Sequence, residues 1–294
     1  MKIIVSFSGG KDSQACLIQA VKKYGADKIE AVFCDTGWEH PVTYTHIENV
    51  CIQLAVKLTI IRNDKVRNFQ EMCRRMKCFP VASRRACTAM LKIQPMIDWI
   101  IGQNEHFIII QGIRAKESKA RETMTPECSY FKEYFEIETG KKIYRKRAVI
   151  NWCKTHDASV LRPIFYWTAQ EVIDYIIENG QRPNPLYSQG ASRVGCFPCI
   201  MSRKGEIKVL SKDEPMKQRL ISLEKEVDSL GQKSHAGFFP KGYIPDRFCR
   251  EYGDGCPTVT EVINYVNRND AGMKDMFEPE GGYSCMSLYH GLCE

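Results

Sequence analysis

The chain has 294 residues, 44% of them hydrophobic and 26% charged, with 42 Lys and Arg against 35 Asp and Glu for a net charge of +7. That is long enough for a full core or for a domain with an appendage, and too hydrophobic and mixed in charge for a disordered chain. The mild positive balance suits a polyanionic ligand without by itself indicating nucleic acid, and no apolar run reaches the roughly 18 residues a membrane span needs.

The N-terminus carries a single lysine and a short β-like run, so no signal peptide is expected and a cytoplasmic location is. Fourteen cysteines in such a chain point to free thiols and a metal or redox site rather than to a disulfide framework.

In chain order, the β-branched runs Ile3–Phe7, Ile29–Cys34, Leu58–Arg62 and Phe107–Gly112 alternate with helix-like segments at about Asp12–Tyr24, Pro41–Val56 and Thr88–Ile101. Alternation of this kind predicts an α/β fold, a parallel twisted sheet with helices on both faces. Ligands of such sheets bind beyond the carboxyl ends of the strands. Three polar motifs fall at those ends: "SFSGGKDSQA" at 6–15, "CDTGW" at 34–38 and "QGIRAKESKAR" at 111–121.

Residues 127–160 interrupt the alternation. "YFKEYFEIETGKKIYRKRAVI" predicts an inserted hairpin turning near Thr139–Gly140, with Lys141, Lys142, Arg145, Lys146 and Arg147 interleaved with aromatic residues. It reads either as a solvated, charge-protected edge or as a contact for a nucleic acid or protein partner. Beyond it, 168–180 predicts a helix with a glycine stop. Met216, Leu220, Leu223, Val227 and Leu230 mark one face of a second. The chain divides into a nucleotide-binding domain at 1–205 and a helical C-terminal extension at 206–294.

The first loop differs from the Walker pattern, because Gly9 and Gly10 are adjacent and Lys11, Asp12 and Ser13 follow at the helix start. Its physics is related. Glycines let the backbone approach an oxyanion, and the helix N-terminus adds partial positive charge. Ser8 and Ser13 offer hydroxyls, Lys11 a point charge, and Asp12 a ligand for Mg²⁺. Arg114 and Arg121 stand where guanidinium forks bind phosphate or sulfate oxygens, or where they pair with Glu117 and Glu122.

The string "SGGKDS" after an N-terminal strand resembles the pyrophosphate loop of the ATP pyrophosphatase superfamily, of the adenine nucleotide alpha hydrolase-like fold. Asp35 in "CDTGWEHP" matches its acidic position after the second strand. "GIRAKESKAR", which begins at Gly112, and the stretch 162–199 with its Asn-Pro-Leu-Tyr and Gly-Cys-x-x-Cys landmarks resemble the phosphoadenosine phosphosulfate (PAPS) reductase family over roughly residues 1–205. The resemblance implies an adenine nucleotide, ATP or PAPS with Mg²⁺, as ligand. It implies either of two reactions: ATP cleavage between the α and β phosphates with sulfur transfer, or sulfonucleotide reduction. A non-catalytic nucleotide-sensing or assembly subunit is the reading from another class. The intact loop favours ATP cleavage, since reductases of the family typically depart from it.

Cys196 and Cys199 form a CxxC pair, which alone is ambiguous among zinc, an iron–sulfur cluster and a dithiol couple. In iron–sulfur members of the family the pair is joined by upstream cysteine in a stretch resembling "RRACTAMLKIQP" (84–95), where this chain has Cys87 alone and Ala86 in place of a first cysteine. Cys87, Cys196 and Cys199 would hold three irons of a 4Fe–4S cluster, with zinc as the alternative. The fourth position is open or falls to Cys249, Cys256, Cys285 or Cys293, with Cys285 or Cys293 favoured. The family's reductases attack substrate with a cysteine of a C-terminal tail. The ending "HGLCE" is similar in composition but not in order, so the resemblance extends a nucleophile's role only loosely to Cys285 and Cys293. Cys73 and Cys78 lack matching positions, and Cys16, Cys51 and Cys153 read as inert.

Overall fold

A computed structural model of the chain describes residues 1–135, 143–231, 236–251 and 255–268. Its strands are β1 (Lys2–Ser6), β2 (Ile29–Cys34), β3 (Lys57–Ile61), β4 (Phe107–Ile110), β5 (Glu127–Ser129) and β6 (Ala158–Leu161). Among the described residues they form one sheet in the order β3-β2-β1-β4-β6-β5. Every neighbouring pair is parallel except β5 against β6.

The expected α/β architecture is present, and its cause is visible in β1. Successive side chains of a strand point to opposite faces, and here both faces are covered. Ile3 and Val5 enter a cluster with α1 (Lys11–Tyr24), α2 (Pro41–Gln53) and α9 (Ala169–Glu178). Ile4, between them, enters another with α5 (Gln94–Ile101) and α8 (Lys146–Trp152). A run of consecutive apolar residues is what a strand buried on both faces requires.

The helix expected at Thr88–Ile101 starts earlier and is irregular. It comprises α4 (Ala86–Thr88), a π-helical turn at Ala89–Ile93, and α5. Asn68 caps α3 (Phe69–Met76) by accepting the Glu71 N–H at 2.8 Å. A short α6 (Lys119–Glu122) follows β4.

The segment 127–160 corrects the hairpin expectation. Its ends do pair antiparallel, Cys128 opposite Val160, but the described flanks inside it are α7 (Lys132–Phe135) and α8 rather than strands. Tyr130, Phe131 and Tyr134, with Val149 and Trp152, bury at three- and four-residue spacing into the cluster around Ile4, and that burial selects helix over the β propensity of the aromatic residues. The turn expected near Thr139–Gly140, with Lys141 and Lys142, lies outside the described residues.

Toward the C-terminus α10 (Lys204–Lys212), α11 (Glu214–Leu230) and α12 (Val259–Val266) pack around one hydrophobic cluster. That cluster also takes in Trp38, Phe69, Met72 and Phe197 from the preceding part. The face expected for α11 is buried through Met216, Leu220, Leu223 and Val227, whereas Leu230, expected on the same face, is exposed at the helix end. No helix among the described residues is long and apolar enough to cross a membrane.

Candidate functional site

The chain builds outward from β1 through β2 to β3 and then returns to β4 on the other side of β1. The crevice beyond the carboxyl ends of β1 and β4 is therefore the topological switch point, where open α/β sheets bind ligands. "SGGKDS" follows β1 and Gln111–Arg114 follows β4.

Phe7 is buried and its N–H donates to the Val32 carbonyl at 2.9 Å, which carries β1 one residue further. The chain then turns through Gly9 at φ +78°, where an added Cβ would lie 2.9 Å from both Thr43 Cγ2 and Ile47 Cγ1 of α2. Glycine is needed there for conformation and for space. Gly10 is extended and caps α1, so its carbonyl receives the Gln14 N–H at 3.0 Å. Ser13 Oγ donates to the Gly10 carbonyl at 3.1 Å and accepts from the Ser8 N–H at 3.3 Å.

Gly112 packs directly on this turn: a Cβ on it would stand 2.5 Å from Ser13 N and 2.6 Å from Asp12 C. That contact brings the β4 loop onto the start of α1 and sets Arg114 beside Asp12, with Arg114 Nε donating to Asp12 Oδ1. Lys11 Nζ reaches Asp12 Oδ2 at 3.2 Å. Burial works against the Lys11 charge, but Tyr187 and Asp12 outweigh it and hold the ammonium's pKa above its usual value. Glu117 pairs with Arg121 and accepts the Arg114 N–H at 3.2 Å. Both arginines are buried. They are not loose surface pairs, because one end of each lines the groove above the loop.

That groove encloses about 410 Å³, within the range of small-molecule sites. It gathers Ser8, Gly10, Lys11, Asp12, Arg114 and Arg121, and adds Tyr187, Ser192, Arg193 and Arg203. These four were not among the expected site residues, although Arg193 and Arg203 flank the CxxC pair and Tyr187 closes the Asn-Pro-Leu-Tyr landmark. Five cations over one groove attract an oxyanion chain.

Asp35 does not line the groove. It is buried, accepting from Gly37 N and Tyr44 Oη at 2.7 Å each and pairing with Arg62. Burial pushes its carboxyl up, but the Tyr44, Gly37 and Arg62 hydrogen bonds win and hold it below the ordinary carboxylate range. Its place is to brace the 35–40 loop.

Cys87, Cys196 and Cys199 line one largely apolar cavity with Trp38, Phe69 and Leu91. The CxxC loop is stitched to the 35–40 loop: Phe197 N donates to Trp38 O at 2.8 Å, and Trp38 Nε1 to Pro198 O at 3.0 Å. Glu39, another residue outside the expected set, is buried and accepts from the Cys196 thiol at 3.7 Å and Thr36 Oγ1 at 2.7 Å. Burial, opposed by Lys92 and reinforced by Glu39, pushes the Cys196 thiol up to about 12. Arg193, Val194 and Arg203 line both this cavity and the groove, so a single segment walls the two.

The donor set suits a thiolate-held group. In addition, Ser202 Oγ is buried in the cavity wall with no hydrogen-bond partner, as expected where a bound group completes the site. As placed, no three His, Cys, Asp or Glu side chains among the described residues stand close enough to hold a metal ion. Ligation would require the thiols to come closer together than they stand. Of the late cysteines, Cys249 is buried in the C-terminal cluster, its thiol 3.8 Å from the Pro245 carbonyl, and neither it nor Cys256 lines the cavity. Cys285 and Cys293 lie outside the described residues.

The family profile described as "Phosphoadenosine phosphosulfate reductase domain" matches residues 2–202. A 37.8 kDa uncharacterized protein of Escherichia phage 186 is 26% identical over 99% of this chain and 96% of its own length. An uncharacterized protein of Methanocaldococcus jannaschii is 29% identical over 72% of this chain, which spans only 39% of that relative. Among solved structures, PAPS reductase from Candida auris in a phosphate complex aligns at 17% identity and TM-score 0.46, covering 68% of this chain and 83% of that one. The U34-tRNA thiolase NcsA from Methanococcus maripaludis with its [4Fe-4S] cluster aligns at 14% identity and TM-score 0.41, covering 91% and 82%.

Proposed function

This chain belongs to the phosphoadenosine phosphosulfate reductase domain family, and we propose on that premise that it cleaves ATP between the α and β phosphates to activate an acceptor for sulfur transfer. One observation carries the reading: an intact SGGKDS loop and a three-thiol cavity lie on either side of the same wall, Arg193, Val194 and Arg203.

In this reading the phosphate chain lies in the groove along the N-terminus of α1. Lys11, Arg114 and Arg121 face the β and γ phosphates and stabilise charge building on the leaving pyrophosphate. Asp12 would be the residue to hold Mg²⁺, which would supply charge neutralisation on the phosphates. An acceptor oxygen attacks the α phosphorus in line, the new O–P bond forms, and the bond to the β phosphate breaks with release of pyrophosphate. A sulfur nucleophile then displaces AMP from the adenylated acceptor. Cys87, Cys196 and Cys199 would be the residues to hold a 4Fe–4S cluster, or zinc in the alternative, which would supply a site for binding sulfur beside the groove. Glu117, which lines the groove beside them, positions Arg114 and Arg121.

Arg145, Lys146 and Arg147 line an open depression beside α8, a cationic surface suited to a nucleic-acid acceptor. We place the working boundary at 205, with α11 beyond it bracing the site: Asp213, its N-cap, bonds His40 at 2.6 Å and Arg219 donates to Gly37 O at 2.7 Å. A thiol site of this kind suits the reducing cytoplasm.

The test is a pair of assays on anaerobically purified protein. ATP with Mg²⁺ and bulk RNA should release pyrophosphate, and Lys11→Ala should lower that rate about 100-fold or more. Sulfite from PAPS and a dithiol, with no pyrophosphate from ATP, overturns the proposal in favour of sulfonucleotide reduction. Nucleotide binding with neither product returns the chain to a sensing role.

A further inference from the structure

We propose that the Tyr187 hydroxyl is a placeholder in the phosphate seat of the first loop, displaced when a phosphate oxygen arrives. The inference rests on the nucleotide reading above and names how that seat is kept when empty of nucleotide.

Backbone N–H groups at a glycine-rich turn are the donors an oxyanion takes. Here hydroxyls take them. Gly10 N donates to Ser8 Oγ at 3.4 Å, Ser8 N to Ser13 Oγ at 3.3 Å, and Lys11 N to Tyr187 Oη at 3.1 Å. Ser8 and Ser13 belong to the loop, whereas Tyr187 comes from 176 residues away. The Lys11 ammonium also lies 5.2 Å from the Tyr187 ring centroid. One tyrosine thus engages both groups of Lys11 that a phosphate would engage, and it lines the same groove.

The segment around it is anchored separately. Asn184 Nδ2 donates to the Gly9 carbonyl and to Thr43 Oγ1, each at 3.3 Å, and Asn184 Oδ1 accepts the Leu186 N–H at 3.0 Å. Tyr187 can therefore turn away by side-chain rotation while Asn184 keeps the backbone on the loop. Space above Gly10 is short: a Cβ there would lie 3.5 Å from Tyr187 Oη and 3.3 Å from the Val194 carbonyl. An arriving phosphate displaces the hydroxyl because a charged acceptor makes a hydrogen bond roughly twice as strong as a neutral one. Water, a neutral acceptor, has no such advantage. The hydroxyl keeps the seat shaped and raises the threshold for weak anions.

The experiment is calorimetric titration of the full chain and of Tyr187→Phe with inorganic pyrophosphate, ATP and PAPS, alongside amide exchange at Lys11. Phenylalanine keeps the ring and removes the competing oxygen. Pyrophosphate should bind about fivefold more tightly to the variant. The unliganded variant should exchange its Lys11 amide faster, and pyrophosphate should restore protection. In the unaltered protein with labelled tyrosine, pyrophosphate should shift the Tyr187 ring resonance, a readout independent of the variant's folding. Equal or weaker binding by Tyr187→Phe, or an unmoved Tyr187 resonance on saturation, overturns the placeholder and leaves the nucleotide site standing. No uptake of any of the three ligands by either protein overturns both.

Discussion

Asp12 and Arg114, 102 residues apart in the chain, form a buried ion pair on the floor of the groove, each less than 7% exposed. The pair joins the loop after β1 to the loop after β4, so it spans the switch point itself. Its partners Lys11 and Glu117 alternate with it in charge, which leaves no lone buried charge in the network.

Breaking that pair leaves Asp12 with Lys11 as its remaining cationic partner. Arg114→Ala should destabilise the fold by about 1–3 kcal/mol and abolish nucleotide binding, read by urea unfolding and calorimetry. Arg114→Lys should recover much of the stability but little of the binding, because an ammonium cannot make the guanidinium's forked contact. Equal binding by the lysine variant would show that Arg114 acts only as a point charge.

Gly112→Ala tests the contact between the two loops. Its methyl would sit 2.5 Å from Ser13 N and 2.6 Å from Asp12 C, backbone atoms that cannot swing aside. A loss of about 1–3 kcal/mol is expected, with pyrophosphate affinity falling as Arg114 moves off Asp12. An unchanged unfolding midpoint would mean that the β4 loop does not pack as described.

The pH dependence of stability carries a signature of Glu224 on α11. This buried carboxylate accepts the N–H groups of Phe238 at 2.9 Å and Val259 at 2.8 Å. Burial, opposed by those two bonds, pushes it up to about 7 from an ordinary 4.5. The folded protein then keeps the proton longer than the unfolded chain. The contribution is full below about 4.5 and is lost as pH climbs through about 7. Relative to Glu224→Gln, the unaltered protein should lose about 3 kcal/mol of stability between pH 4.5 and 8. Parallel curves for the two proteins would contradict this.

Metal content separates the thiols. Anaerobically purified Cys87→Ser, Cys196→Ser and Cys199→Ser should each lose bound iron, with the visible absorption of a cluster, whereas Cys153→Ser should keep both. Zinc in place of iron, lost from the same three variants, would select the alternative metal. Retention of metal by all three would remove the cavity from consideration.

Much of this protein is readable along its sequence because the relevant forces are local. Gly9, Gly10 and Asp12 must be neighbours for a turn to open onto a helix, so the SGGKDS loop survives as a string. Cys196 and Cys199 sit within one turn of each other for the same reason. The alternation of apolar strands with amphipathic helices reports burial on both faces of a parallel sheet, and it led correctly to the architecture.

What the tertiary structure decided is which distant groups meet. Nothing in the spacing shows that Arg193 and Arg203 join Lys11 over one groove, that Glu39 touches Cys196, or that Tyr187 sits on the Lys11 amide. Those contacts are made across loops distant in sequence and joined by tertiary packing and hydrogen bonds. The partners of Asp35, expected beside the nucleotide, are likewise tertiary: Arg62 and Tyr44, with Gly37 from its own loop. The segment around Tyr134 and Trp152 reads as β from its aromatic residues, but its apolar side chains reach the sheet only at helical spacing. Local propensity is worth tenths of a kcal/mol per residue and burial of an aromatic side chain a few kcal/mol, so the neighbours, which the linear order does not reveal, settled the outcome.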